Sequence, residues 1–168
     1  MITQEINSLE RKVYSKLGYT KLEAAELVEV MNRLLANLNV HYQKLRNFHW
    51  NVKGTDFFDL HQKFEEEYNE TQKAIDEVAE RIRVFGQTPL STMREYLETS
   101  EIKETGTDLS SNEMVGEILK DYGILLEQMF LTIEVSISNG DSSTEDLIKG
   151  LVRRTEKNHW MWSAFLKP

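Results

Sequence analysis

The sequence predicts an all-α protein: a four-helix bundle with one long crossover and a short extra helix inside that crossover. Three observations predict it. A serine or threonine followed three residues later by glutamate, the pattern of an N-terminal capping box, occurs at Thr20–Glu23, Ser110–Glu113 and Ser142–Glu145. Downstream of each, apolar residues recur mostly at spacings of three, four or seven, the period of an amphipathic helix. Only 2 prolines occur in 168 residues, so long helices are not interrupted.

The elements follow in order. From the Thr20 cap, Leu27, Met31, Leu34, Leu38, Leu45 and Phe48 carry a first helix to about Asn51, and Gly54 stops it. Thr55 or Asp56 can cap a second, whose stripe is Phe57, Leu60, Phe64, Tyr68, Ile75, Val78, Ile82 and Phe85. Gly86 and then Pro89 end it. The next connection is too long for a simple turn and has room for a short helix around Ser91–Leu97. Ser110 opens the third long helix, through Val115, Ile118, Tyr122, Leu125, Met129 and Ile133, closed by Asn139-Gly140. Ser142 opens the last, through Leu147, Leu151, Trp162 and Leu166. The long connection allows the second and third long helices to run parallel.

At 168 residues the chain is expected to form a single domain, 1–168, with about 1–20 as an N-terminal extension. It has 0 cysteines, which rules out disulfides and thiolate metal sites and suits a reducing compartment. No apolar run approaches the ~20 residues of a membrane span. The start, MITQEINSLERK, lacks the basic-then-apolar order of a signal peptide, so the expected location is the cytoplasm. Net charge is -8. Near the start, Arg11, Lys12, Lys16 and Lys21 are offset by Glu5, Glu10, Glu23 and Glu26. An acidic body without a basic tail repels phosphates, and DNA binding is not expected.

The stretch richest in metal-binding side chains is Asn47–Gly86. It holds His49 and His61, then Glu65, Asp76 and Glu80. Imidazole and carboxylate are the nitrogen and oxygen donors a redox-active iron site needs. On a helical wheel, His61, Glu65, Asp76 and Glu80 share an arc offset by roughly 110° from the apolar stripe, so they point away from their own bundle. A solvated charged face has the same pattern. Two features favour ligands: the histidines flank the turn at Gly54, and Trp50 with Phe57–Phe58 adds large apolar surface beside them. His61 and Asp76 are fifteen residues apart on one helix, roughly 22 Å at ~1.5 Å per residue. Metal bonds are only ~2.0–2.2 Å long. If the two act together, a second chain completes the site. Antiparallel second helices in a two-fold dimer would place His61 of one chain opposite Asp76 and Glu80 of the other. Glu156-x-x-His159 has the spacing of intra-bundle di-iron sites, but the second helix offers no matching Glu-x-x-His, so this reads as an ordinary surface pair. His41 is expected at solvent or at an interface.

His49-Trp50-Asn51, Lys53-Gly54, Leu60-His61, Phe64-Glu65 and Asp76-x-x-Ala79-Glu80-Arg81 together resemble the Dps family of ferritin-like mini-ferritins, and the resemblance runs from about Leu22 to Phe165. It implies a hollow dodecamer that oxidises Fe(II), preferably with hydrogen peroxide, and stores ferric mineral. It implies a di-iron site between two-fold related subunits, with His49 and His61 from one chain and Asp76 and Glu80 from the other, Glu80 bridging. Glu65 stands where the family often has Asp, as a ligand or a group behind the ligands. The resemblance also places Trp50 and Trp160 near the iron, where they absorb stray oxidising equivalents, and Asp146 in a three-fold pore through which iron enters. Two other readings compete: a structural or DNA-compacting shell with a weak metal site, and a ferritin with its di-iron site inside the bundle.

Overall fold

The structure is a computed structural model and describes residues 18–167. Most of the expected N-terminal extension, including Arg11, Lys12 and Lys16, lies outside the described residues. Within them are five helices and no strand: α1 (Lys21–Asn51), α2 (Phe57–Val84), α3 (Met93–Thr99), α4 (Ser111–Ser138) and α5 (Ser142–Phe165). Among the described residues, no helix is long and apolar enough to cross a membrane.

The caps explain most of the boundaries. Thr20 and Glu23 bond reciprocally ahead of α1, and Ser110 and Glu113 ahead of α4. The short helix in the crossover has its own box, Thr92 with Glu95, which moves it two residues beyond its expected span. The box expected at Ser142 and Glu145 does not form. Asp141 is the N-cap of α5, its carboxylate accepting from the Thr144 N–H, and Ser142 is already helical. A carboxylate one residue earlier takes the role at least as well as a hydroxyl. Asp56 holds the N-cap position of α2 without a side-chain cap bond. Gly140, just past α4, has φ of 69°, a left-handed conformation that costs glycine little.

Cross-helix pairs give the topology. His41 and Lys44 of α1 both reach Asp121 of α4, and Lys44 also reaches Glu117, so these helices are antiparallel. On α2 and α5, Phe64 meets Trp162, Glu67 meets Asn158 and Arg81 meets Thr144, which is antiparallel again. Since the α1–α2 hairpin is antiparallel, α2 and α4 run parallel, as a single long crossover requires. Asn37 pins that crossover. Its side-chain oxygen accepts from the Ser100 hydroxyl and from the Glu101 and Ile102 N–H groups.

The core is built from Leu27, Met31, Leu34, Phe48, Phe64, Ile82 and Ile118, all fully buried. Phe64 stacks on Trp162 at 5.4 Å between centroids. Burying one such side chain stabilises the fold by ~1.5–3 kcal/mol. The inward stripe of α2 differs from the apolar one expected. Tyr68 and Ile75 lie at its edge, and its centre runs through Glu67, Thr71 and Ala74.

Candidate metal centre

The α1–α2 hairpin brings the two histidines together. Val52 ends α1 with its N–H on the Phe48 carbonyl, and Gly54, at φ 108°, turns the chain back. His49, in the last turn of α1, then faces His61, in the second turn of α2. Their rings stack at 3.8 Å with 21° between planes. His49 Nδ1 donates to the His61 carbonyl and His61 Nδ1 donates to the His49 carbonyl, each at 2.7 Å. The His49 carbonyl belongs to the last turn of α1, where no later helical N–H reaches it.

This exchange fixes the proton positions. A carbonyl oxygen only accepts, so both Nδ1 atoms carry hydrogen. In the neutral ring the lone pair is then on Nε2. Two stacked imidazoles thus have their Nε2 lone pairs free, each ring oriented by a bond to backbone on its far side, as metal-binding histidines generally are. Phe57 stacks on His61 at 5.0 Å, and Tyr68 sets its ring at 82° to His49 at 5.4 Å. His49 is buried and His61 half-buried.

The carboxylates lie elsewhere on the same helix. Glu65, Asp76 and Glu80 are exposed, on the outward side of α2. Asp76 and Glu80 make no hydrogen bond or ion pair among the described residues. Glu65 stands close to the Tyr68 phenol. Burial first, and then the negative charge of Glu65, hold that phenol above its ordinary pKa. Within one chain, no three His, Asp or Glu side chains among the described residues come close enough together to hold a metal ion. One chain therefore joins His49 to His61 and leaves Asp76 and Glu80 further along α2.

The remaining candidates separate. Trp50 is 57% exposed, with the Arg46 guanidinium 4.7 Å over its ring. Trp160 is exposed on α5. Asp146 is exposed near the start of α5, whereas Asp141 is fully buried and paired with Arg81 at 2.7 Å. Glu156 is exposed, and His159 Nδ1 faces the Ser163 hydroxyl rather than a carboxylate.

His41 corrects the expectation of a solvent or interface residue. It is 1% exposed, and its Nδ1 donates to Asp121 at 2.9 Å. The fold supplies a buried carboxylate on α4 that a wheel of α1 alone does not show. Glu67 was missed altogether. It is 3% exposed and accepts from the Tyr122 hydroxyl at 2.6 Å. A signal existed: position 67 continues the spacing Leu60, Phe64, Thr71, Ala74, Val78 of the inward stripe.

Comparison with known proteins agrees with this architecture. A family model for the ferritin-like domain matches residues 28–168. DNA protection during starvation protein 2 of Bacillus anthracis is 44% identical over 141 residues, 84% of this chain and 97% of that protein. General stress protein 20U of Bacillus subtilis is 39% identical over the same shares of each chain. Among solved structures, a Dps protein from Vibrio cholerae O1, described as a member of a broad superfamily of ferritin-like diiron-carboxylate proteins, superposes with a TM-score of 0.88. It is 36% identical, covering 90% of this chain and 95% of that one. Dps from Staphylococcus aureus gives 0.82 at 41% identity, covering 84% and 95%. The chain belongs to the ferritin-like family and, within it, to the Dps proteins.

Proposed function

We propose that this protein is a ferroxidase and iron store of the cytoplasm. Assembled as a hollow dodecamer, it oxidises Fe(II) with hydrogen peroxide at sites shared between two subunits, holds the ferric product inside, and so protects against oxidative stress. The observation that carries the reading is the reciprocal bonding of His49 and His61, which leaves two Nε2 lone pairs free, while Asp76 and Glu80 stand exposed and without a partner on the helix that carries His61. The membership of the Dps proteins supports it.

In this reading each residue has a physical task. His49 and His61 bind Fe(II) through Nε2, and their backbone bonds keep the rings in place as the ion enters. Asp76 and Glu80 of a second chain supply anionic oxygen, which favours Fe(III) over Fe(II) and so drives the oxidation. Glu80 bridges paired ions, and Glu65 supports the site from behind through Tyr68. Peroxide takes two electrons, one from each of two ferrous ions, and two protons to give water, so no hydroxyl radical is released. Trp50 stands beside His49 to intercept an electron deficit when only one ion is bound. Asp146 draws ferrous ions toward the interior.

The test is anaerobic. Fe(II) is added to the protein, then peroxide, while ferric absorbance and molar mass are followed. The expected result is oxidation of two ferrous ions per peroxide in a particle of dodecamer mass. A stable monomer, or one ferrous ion oxidised per peroxide with trapped hydroxyl radical, refutes the reading.

A further inference from the structure

The bundle interior carries a polar layer that the metal-centre reading leaves unused. On one side, Lys44 Nζ donates to Asp121 Oδ1 at 2.8 Å and His41 Nδ1 donates to Asp121 Oδ2 at 2.9 Å. On the other, Glu67 Oε2 accepts from the Tyr122 hydroxyl at 2.6 Å and from the Asn158 amide at 2.9 Å. The two halves draw on all four long helices. Among the described residues, five buried side-chain atoms have no hydrogen-bond partner, and two of them, His41 Nε2 and Glu67 Oε1, belong to this layer. Lys63 Nζ lies 3.2 Å from Glu67 Oε1 as an ion pair, without the alignment of a hydrogen bond.

His41 and Glu67 line the same cavity, together with Leu38, Thr71, Ala74 and Leu125. Its volume is about 40 Å³. One water needs roughly 10–15 Å³ of such space and two or more polar partners. We propose that this cavity is an ordered-water site, in which a water bridges His41 Nε2 and Glu67 Oε1 and joins the two half-networks into one that spans the bundle.

Charge selects a neutral occupant over a metal ion. Asp121 already faces Lys44, and Glu67 already faces Lys63. The lining also holds Glu70 and Arg154 at its exposed edge, Arg154 facing Glu77. A divalent cation here would stand beside the Lys44 and Lys63 ammonium groups with both buried carboxylates, Asp121 and Glu67, already paired, and burying a poorly compensated charge is costly. Water suits both partners. It donates one hydrogen to Glu67 Oε1 and the other to the His41 Nε2 lone pair; if His41 is protonated, it accepts the Nε2–H instead.

A crystal structure of the assembled protein, at a resolution that orders water, tests this. Crystals are soaked in Fe(II) and data are collected at the iron edge. The expected result is a density peak within hydrogen-bond distance of both atoms, with no anomalous signal. The variant His41→Asn keeps a donor toward Asp121 but lacks Nε2, and the peak there should be lost or should move away from residue 41. An anomalous peak in the cavity, a direct His41–Glu67 contact with the cavity closed, or a cavity without density overturns the proposal. So does a peak that stays unmoved in His41→Asn; if that variant does not fold, the wild-type data decide alone.

Discussion

Mixing two inactive variants separates a shared site from one held by a single chain. His61→Ala removes one imidazole, and Asp76→Ala removes one carboxylate roughly 22 Å away along α2. Neither should unfold the protein. His61 loses a hydrogen bond to the His49 carbonyl, worth ~0.5–1.5 kcal/mol. Asp76 is exposed and without a partner, so its loss should stay within about 0.5 kcal/mol. Each pure variant has every site broken. In a mixed dimer, one site takes its histidines from the Asp76→Ala chain and its carboxylates from the His61→Ala chain, and is intact. The other site is doubly broken. Random reassembly of equal amounts makes about half of the dimers mixed, so about a quarter of all sites recover. The assay is peroxide-driven Fe(II) oxidation, after dissociation and reassembly verified by mass. Recovery near a quarter of the wild-type rate is expected. No recovery in verified mixtures would refute sharing, and full activity in either pure variant would refute the ligand assignment itself.

Further outcomes are expected. Protons compete with iron for the Nε2 lone pairs, so Fe(II) occupancy should fall as the solution is acidified; occupancy that does not change on acidification contradicts histidine ligation. Asp141→Ala should destabilise the fold by ~3–5 kcal/mol in urea denaturation, because it strips Arg81 of its buried partner and α5 of its cap. Asp141→Asn keeps the cap and should cost less; equal losses would show that the cap adds nothing beyond the ion pair. The hydroxyl and N–H of Ser110 hold the Glu113 carboxyl below its ordinary pKa. That stabilisation is present above the unfolded carboxylate range and is lost as pH falls through the folded value. Glu113→Gln should therefore melt below wild type near neutral pH and with it in strong acid, as followed by circular dichroism. At about 0.15 M salt, a gel-shift experiment without divalent metal should show no DNA complex, since the chain has 20 basic and 28 acidic residues; a retarded band would reveal a basic patch assembled across subunits.

What could be read in advance depended on whether the information was local. The caps at Thr20 and Ser110, the turn at Gly54 and the stop at Asn139-Gly140 are set by neighbours in sequence, and all four stand where expected. The start of α5 was misread because Asp141 and Ser142 are both good caps, and the choice was made by Arg81, 60 residues away. Apolar periodicity located the α2 stripe but overlooked Glu67, since a count of apolar side chains cannot register a buried carboxylate. His41 was misplaced for the same reason: its partner is on another helix, 80 residues on. His49 and His61 were found as residue types, but their mutual backbone bonds needed the hairpin geometry.

The treatment of the acids on α2 bears on why the metal reading favours one side of the helix. Glu66 and Glu67 pair with Lys63, and Glu77 pairs with Arg154. These carboxylates face the bundle or its edges, where a cation of the same chain reaches them. Glu65, Asp76 and Glu80 have no lysine or arginine partner. A carboxylate already held by an ammonium is a poor ligand, because the incoming ion must displace that charge, whereas a free one attracts Fe(II) without a competitor. The helix thus holds Glu66, Glu67 and Glu77 with cations of its own chain and leaves Glu65, Asp76 and Glu80, with Asp59 and Glu70, open to a charge from outside. Reversing that sorting is a direct check. Val84→Lys would place an ammonium one turn from Glu80, at an already exposed position where the fold should tolerate it. Iron affinity should fall while stability stays within about 0.5 kcal/mol; unchanged affinity would mean that Glu80 contributes no charge to the site.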